Sequence, residues 1–357
     1  MKKILLYLII LFFLLGYGVY KFVVAQSSEK ISVIMVSFGS KTTDGDWQGE
    51  VAPYIEELEN AKDVSESVPM CEKAFRGYIY DQPVMLVISG IAKVKATACT
   101  LEVLNLVCKD VEEVIFSGIA GITPMKGGML DTKGNLRYDE AAMIGDVCIN
   151  SAAFDFDLQR FSSDQYDSFV PMPSFWSSDM PHESDYVYAK PDLTNELYEA
   201  SLLVNWPEPS EEAREMNFRY HQKSRIPKSW KSTECLEATD DLFWHDIRAD
   251  ARARVIGSSW LSKSYGLNLS AEDIIVVTSM ESLPVGLTVS WWNESNNKDI
   301  DFAYVRGASN FDHPRLNSDG TPALGGRESL EGSESGYSFA IRTQALPVLK
   351  MLELRSM

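Results

Sequence analysis

Histidine is scarce in this chain: four in 357 residues, scattered along its length. A metal site needs several His, Cys or acidic ligands at recognisable spacings, and none is visible, so no metal and no cofactor are expected. Cysteine is almost as sparse, and its number, five, is odd. Cys99 and Cys108 fall in a helical pattern and read as buried thiols, and Cys148 lies in a strand-like run. Cys71 and Cys235 lie in polar surroundings and are the pair expected to bridge in an oxidising compartment. Positive charge is also short, with 33 Lys and Arg against 51 Asp and Glu and a formal charge of -18. Such a surface repels nucleic acid and anionic lipid, which excludes polynucleotide binding. A single small nucleoside is not excluded, because its site is local. There is no internal repeat.

Long apolar runs are absent except at the start. Lys2-Lys3 precedes the almost wholly apolar stretch from Ile4 to Tyr20, and Val23-Val24-Ala25 supplies small residues at a signal-peptidase spacing. Residues 1–25 therefore read either as a cleaved signal peptide or as a membrane anchor through residues 4–24, since about 20 apolar residues span a bilayer. No Cys follows the run, so lipid attachment is not expected there. Either alternative places the folded part, residues 26–357, outside the cytoplasm, periplasmic or secreted.

What is present reads as one α/β domain, and at 45% hydrophobic residues the chain can bury a sizeable core. Strands are expected at Ile31 to Phe38, Pro83 to Ile88, Val114 to Phe116, Val147 to Ile149, Ile274 to Thr278 and Phe302 to Val305. Helices are expected from Lys93 to Cys108, Ser282 to Trp292 and Tyr337 to Leu354. Glycine-bearing turns close several strands, as at Ser89-Gly90 and Ser117 to Gly121. That pattern implies a sheet covered on both faces, with ligands at the carboxyl ends of its strands. The stretch of about 158–252 is rich in Ser, Asp, Glu, Pro and Trp and reads as a long insertion over the site, with short helices at Asn195 to Val204 and Glu211 to His221. Asn310 to Gly332 reads as an exposed loop.

Polar residues gather at the strand tips. Val277-Thr278-Ser279-Met280-Glu281-Ser282 ends one strand in a Met-Glu pair, and Arg306-Gly307-Ala308-Ser309-Asn310 ends the next. Ser89-Gly90-Ile91-Ala92-Lys93-Val94 resembles the Ser-Gly-Ile-Gly-Lys-Val turn of methylthioadenosine/S-adenosylhomocysteine nucleosidases. Ser117 to Gly121 is similar to their base-lining turn, Gly145-Asp146-Val147 to the start of one of their strands, Met280-Glu281 to their ribose-binding pair, and Arg306 to Asn310 to their Arg-x-x-Ser-Asp. The five motifs keep their order across about residues 30–157 and 250–312. The chain thus resembles the nucleoside phosphorylase/nucleosidase superfamily. Cys235 to Asp241 and Ser309 to Pro314 resemble secreted purine nucleoside permeases, and the Met-Glu-Ser form resembles plant vegetative storage proteins.

The resemblance implies a nucleoside phosphorylase-like central mixed sheet flanked by helices, with a long insertion, and cleavage of purine nucleosides by water or by phosphate as co-substrate. A nucleoside-binding or uptake-assisting protein with little turnover is the alternative. It also implies that Glu281 grips the ribose hydroxyls, a strong charge-assisted pairing, with Met280 as an apolar wall. Trp260, Ala120 and Gly121 would line the base, with a core Trp the plain alternative for Trp260. Asn310 would hydrogen-bond the leaving base, with Ser309 orienting it and Arg306 positioning the turn or contacting an anion, a buried Arg paired with an acid being the plain alternative for Arg306. Ser89, Gly90 and Gly39 would meet the water or phosphate. Asp312 is a second acid two residues beyond Asn310, otherwise a solvated loop residue. Members are often homo-oligomers, and one is expected here.

Departures matter too. Asn310 stands where the nucleosidases have an Asp acid, and Asn cannot give up a proton. Ser279 stands where they have a second Glu. Gly39-Ser40-Lys41 lacks their early Glu, and no Arg precedes Ser89 to hold phosphate, so that Lys41 or Arg225 would have to stand in.

Overall fold

The computed structural model describes residues 30–107, 110–123, 141–156, 159–160, 170–171, 186–188, 191–241, 245, 247–312 and 328–357. The chain divides into two units, Met1–Lys30 and Ile31–Met357, and the described residues, apart from Lys30, belong to the second. The expected signal or anchor segment, Cys108 and residues 313–327 lie outside the described residues.

The strands are β1 Ile31–Val36, β2 Gly39–Lys41, β3 Trp47–Gly49, β4 Glu59–Asp63, β5 Lys73–Ile79, β6 Gln82–Ile88, β7 Val111–Ile122 and β8 Val147–Asn150. They continue with β9 Ala152–Asp155, β10 Gln159–Arg160, β11 Val170–Pro171, β12 Tyr186–Tyr188, β13 Ser229–Trp230, β14 Cys235–Thr239, β15 Ile275–Ser279 and β16 Asp301–Phe311. The helices are α1 Ala52–Glu57, α2 Lys93–Val107, α3 Pro191–Ser201, α4 Glu211–His221, α5 Ile247–Tyr265, α6 Ser282–Asn296 and α7 Glu328–Arg355.

Twelve of these strands form one mixed sheet. Its path runs β12-β9-β14-β15-β7-β1-β6-β5-β4, and β16 joins β7 to β8, which pairs with β13. β1 is parallel to β6 and β7, and β14 is parallel to β15. β15 runs antiparallel to β7, as does β8 to β16. The period-two alternation of β1 explains the layering. Val33 and Met35 face α2 and α6, packing with Cys99, Val103, Leu283 and Val285. Ile34 and Val36 face α7, α1 and α3, packing with Val348, Leu352, Tyr54 and Leu197.

Two strands outrun their expected limits. Ser117 to Gly121 is not a turn but the second half of β7, and Arg306 to Asn310 is not beyond a strand but inside β16. The two pair in parallel from Asp301 opposite Glu113 to Phe311 opposite Ile122, with a bulge between Ala308 and Asn310. Glycine there serves close packing: a Cβ at Gly121 would collide with Asp312 Oδ1 and Thr278 Oγ1, and one at Gly307 with the Ala340 carbonyl. β7 pairs with β1 along its first half and with β15 near its end, and this carries the sheet around the site.

The stretch read as an insertion also contributes to the sheet. β14 lies within it, yet it is an inner strand of the sheet, between β9 and β15. α4 matches the expected helix, starting after Ser210, whose hydroxyl accepts from the Ala213 amide. α3 starts four residues earlier than expected, at Pro191, and packs Leu193 and Leu197 into the core beside α7.

The cysteines pair differently from the expectation. Cys71 bridges Cys99, tying the loop before β5 to α2, and Cys148 bridges Cys235, tying β8 to β14. Cys71 and Cys235 are therefore not partners. Neighbourhood in space rather than local polarity chose the pairs, and all four residues are buried.

Candidate active site

The carboxyl ends of β1, β6, β7, β14, β15 and β16 converge, and each delivers polar residues. Glu281 follows β15 and is 4% exposed. Its Oε1 accepts the Ala92 amide at 3.1 Å, and its Oε2 lies 3.8 Å from Arg306 Nη2. Burial raises its carboxyl above the ordinary value, against the opposing pull of Arg306 and the Ala92 amide. Met280 beside it is half-buried.

Arg306 is fully buried and stacks over the Phe116 ring. Its Nε donates to Glu237 Oε1 at 3.0 Å and its Nη2 to Ser282 Oγ at 2.6 Å. It is thus buried and paired with an acid, the plain alternative expected for it. Arg306 Nη1 and Glu237 Oε2 are buried without a hydrogen-bond partner. Glu237, 0% exposed on β14, is a site residue that sequence reasoning missed. Its signal, an acid within the apolar run Cys235 to Ala238, was there to be read.

A second buried acid that sequence reasoning missed lies close by. Glu50 follows the β2–β3 hairpin and is 1% exposed. Its Oε2 accepts the Ser37 amide at 2.7 Å and the Phe38 amide at 3.4 Å, while Oε1 accepts the Ile119 amide at 2.7 Å. A Cβ at Gly118 would collide with both Glu50 Oε1 and Arg306 Nη1, so the two groups crowd one point above that residue. Burial pushes the Glu50 carboxyl up to about 7; Arg306 opposes the shift and Glu281 adds to it. Around it, the Gln344 amide donates to the Glu50 carbonyl, Ser117 bonds Gln344, and the Tyr54 hydroxyl donates to Ser117 at 2.7 Å.

At the far end of β16, Ser309 Oγ donates to Asn310 Oδ1 at 2.9 Å and also reaches the Ala120 carbonyl at 3.1 Å. Ser309, Asn310, Ala120 and Gly121 are therefore together, as expected. Asn310 Nδ2 donates to Asp312 Oδ1 at 3.3 Å, and Thr278 Oγ1 donates to Asp312 Oδ2 at 2.8 Å. Asp312 is not a solvated loop residue: it is 0% exposed, and burial raises its carboxyl well above the ordinary range. Phe311 between them packs on Tyr220 and His221 of α4.

Other expected residues have different work. Trp260 on α5 sets its ring against Phe154 and Tyr186, which is the core alternative. Gly39 is held in the hairpin opposite Gly49, where a Cβ would collide with Val51. Ser89 Oγ reaches the Val36 and Gly90 carbonyls, and Gly90 takes the positive φ that the turn needs. Arg225 does not serve as an anion ligand: it pairs bidentately with Asp146 at 2.7 and 2.6 Å. Asp146 also accepts from Lys228 N and Trp230 Nε1, so the Gly145-Asp146-Val147 motif is a buried hub. Lys41 is exposed on the hairpin. Among the described residues, no group of three His, Cys, Asp or Glu side chains is placed to hold a metal.

The sequence profile of the phosphorylase superfamily matches residues 44–224. No curated protein matches the chain in sequence. Among solved structures, it is similar to a 5'-methylthioadenosine/S-adenosylhomocysteine nucleosidase from Neisseria meningitidis in complex with methylthio-immucillin-A, at 15% identity and a TM-score of 0.53, covering 91% of this chain and 99% of that one. A second such nucleosidase, from Colwellia psychrerythraea in complex with adenine, gives 16% identity and 0.53, covering 91% and 95%. Futalosine hydrolase of Helicobacter pylori gives 13% identity and 0.51, covering 91% and 98%. At these identities the likeness establishes the fold: a central mixed sheet flanked by helices.

Proposed function

Because this chain belongs to the phosphorylase superfamily, we propose that it cleaves the N-glycosidic bond of purine nucleosides, and does so outside the cytoplasm. The observation that carries this reading is the buried Glu281, held between the Ala92 amide and Arg306 at the strand tips, on the same sheet edge as the Ala120-Gly121 and Ser309-Asn310 pair. Glu281 takes the ribose hydroxyls as a charged acceptor, stronger than a neutral one, and Met280 packs on the sugar as an adaptable apolar wall. Ala120 and Gly121 line the base. Asn310 donates its amide hydrogen to the departing purine and stabilises the charge arriving there. Asp312 holds Asn310 in place from behind.

The relatives' ligands point the same way, since the nucleosidases above hold a nucleoside analogue or adenine. Two disulfides within one domain support the extracytoplasmic part, because thiols stay reduced in the cytosol.

The test is free-base release from adenosine, inosine, guanosine and methylthioadenosine, with Glu281→Gln alongside. Release that falls on the order of 100-fold or more in the variant is expected, a loss typical of a group that stabilises the transition state. Nucleoside binding without any release would make the chain a binding protein instead.

A further inference from the structure

We propose that the Cys71–Cys99 bridge positions the ribose site, by clamping the turn whose Ala92 amide holds Glu281. The inference rests on the cleavage reading above, which puts the ribose hydroxyls at Glu281. The turn between β6 and α2 has uncommon backbone: Gly90 has φ +84, and Ala92, which carries a side chain, has φ +88. An L side chain is unfavourable there, so such a turn persists only where its surroundings hold it. What it delivers to the site is the Ala92 amide, which donates to Glu281 Oε1 at 3.1 Å.

The loop before β5 presses on that turn from outside. The Glu72 amide donates to the Ile88 carbonyl, at the end of β6, at 2.9 Å, and Glu72 Oε1 meets Lys95 Nζ at 3.0 Å. A Cβ on Gly90 would come within 2.8 Å of Glu72 Oε1 and 2.7 Å of the Lys95 side chain, so both groups lie directly against the turn. Cys71 bridges Cys99, and the Met70 amide donates to Glu102 Oε2 at 2.6 Å. Lys95, Cys99 and Glu102 recur at i, i+4 and i+7 along α2, so the loop grips one face of that helix. The Lys95–Glu72 pair is 58% and 46% exposed, and an exposed ion pair contributes little. The covalent bond between the buried Cys71 and Cys99 is therefore what fixes loop to helix.

Glu281 depends on the Ala92 amide in two ways. The bond fixes the orientation of the carboxylate and leaves its remaining lone pairs to the sugar hydroxyls. It also favours the charged form: burial pushes the Glu281 carboxyl up, and Arg306 and the Ala92 amide oppose that shift. Without the bridge, the turn relaxes toward ordinary backbone, the amide moves off Glu281, and the grip on ribose weakens. Cys71 and Cys99 touch no substrate; they are positioning residues that act through Ala92.

The experiment measures kcat/KM for base release from inosine and adenosine and from their 2′,3′-dideoxy analogues, which lack the hydroxyls that Glu281 grips. The full chain is compared with the double variant Cys71→Ser/Cys99→Ser. The preference for the ribonucleoside over its dideoxy analogue should fall on the order of tenfold in the variant, with the dideoxy value little changed, because a hydrogen-bonded charge is what weakens. A bridge that only stabilises the fold would lower Tm and leave that preference alone; an unchanged preference in a folded variant overturns the proposal. Hydrogen exchange across residues 89–95 needs neither ligand nor turnover. The Ala92 amide should exchange on the order of tenfold faster without the bridge, and an unchanged rate also overturns the proposal. If the double variant does not fold, the wild type reduced by a dithiol under native conditions serves instead, with alkylation confirming that Cys71 and Cys99 have opened. No base release by the wild type would defeat the cleavage reading, and the exchange rate would still decide whether the bridge holds the Ala92 amide.

Discussion

Asn310 on β16 and Asp312 just beyond its end are joined by a 3.3 Å hydrogen bond, and both are buried. An uncharged Asp312 differs little from Asn, because Thr278 Oγ1 can turn to accept as well as donate. Asp312→Asn should therefore change the unfolding free energy by less than about 1 kcal/mol, whereas Asp312→Ala strands Asn310 and Thr278 and should cost roughly 1–3 kcal/mol in denaturant titration. Asn310→Asp tests the leaving-group role. Adenine needs a proton on departure more than hypoxanthine does, so adenosine cleavage should rise several-fold relative to inosine, read by base release from equal mixtures. An unchanged ratio would remove Asn310 from the base. Glu50 teaches the complementary lesson. As an acid among polar residues after the Trp47 strand it looks like any surface Glu, and only the folding of the hairpin onto Ser37 and Ile119 buries it.

At the scale of elements, the turn from β6 to α2 carries a misfit. Ala92 holds φ +88 while its amide feeds Glu281. A side chain in left-handed backbone costs roughly 1–2 kcal/mol, which glycine avoids. Ala92→Gly should accordingly stabilise the protein by about 1 kcal/mol, net of glycine's extra unfolded-state entropy, and leave the Glu281 contact intact. A lower denaturation midpoint would contradict that. Strand interiors were legible because their alternating apolar residues face two helical layers. Their ends were not: Gly118 and Gly121 read as turn signals, yet β7 uses them, as β16 uses Gly307, to pass close to neighbouring groups while the ladder continues. β14 escaped notice because Glu237, the partner of Arg306, sits within its apolar run.

The molecule as a whole combines buried acids with two covalent staples. Glu50 is pushed up to about 7, Asp250 to about 6, and Asp312 and Glu281 also upward, all chiefly by burial. A raised carboxyl binds its proton more tightly in the folded state. Its contribution is full below the ordinary carboxylate pKa and is lost as pH climbs through the raised value. Stability should therefore fall between about pH 5 and 8, and Glu50→Gln should flatten that decline; thermal unfolding across the range measures it. The disulfides close loops spanning 28 and 87 residues. On the chain-entropy account, each contributes roughly 3–5 kcal/mol, so reduction should lower Tm by many degrees. An unshifted Tm under reductant would mean that the bridges do not constrain the unfolded chain.

By itself the sequence determined the strand-and-helix order, the sheet buried on both faces, and the Met280-Glu281 and Ser309-Asn310 tips, because these follow from local periodicity and from motifs a few residues long. The tertiary structure decided the rest: the pairing of Cys71 with Cys99 and Cys148 with Cys235, the burial of Asp312, the packing of the half-buried Trp260 against the core, and the meeting of Glu50 with Arg306 above Gly118. Each of these depends on groups distant in sequence being brought within a few ångströms, and it is that proximity, with the loss of water around it, that turns an ordinary side chain into a bridge or a neutral acid.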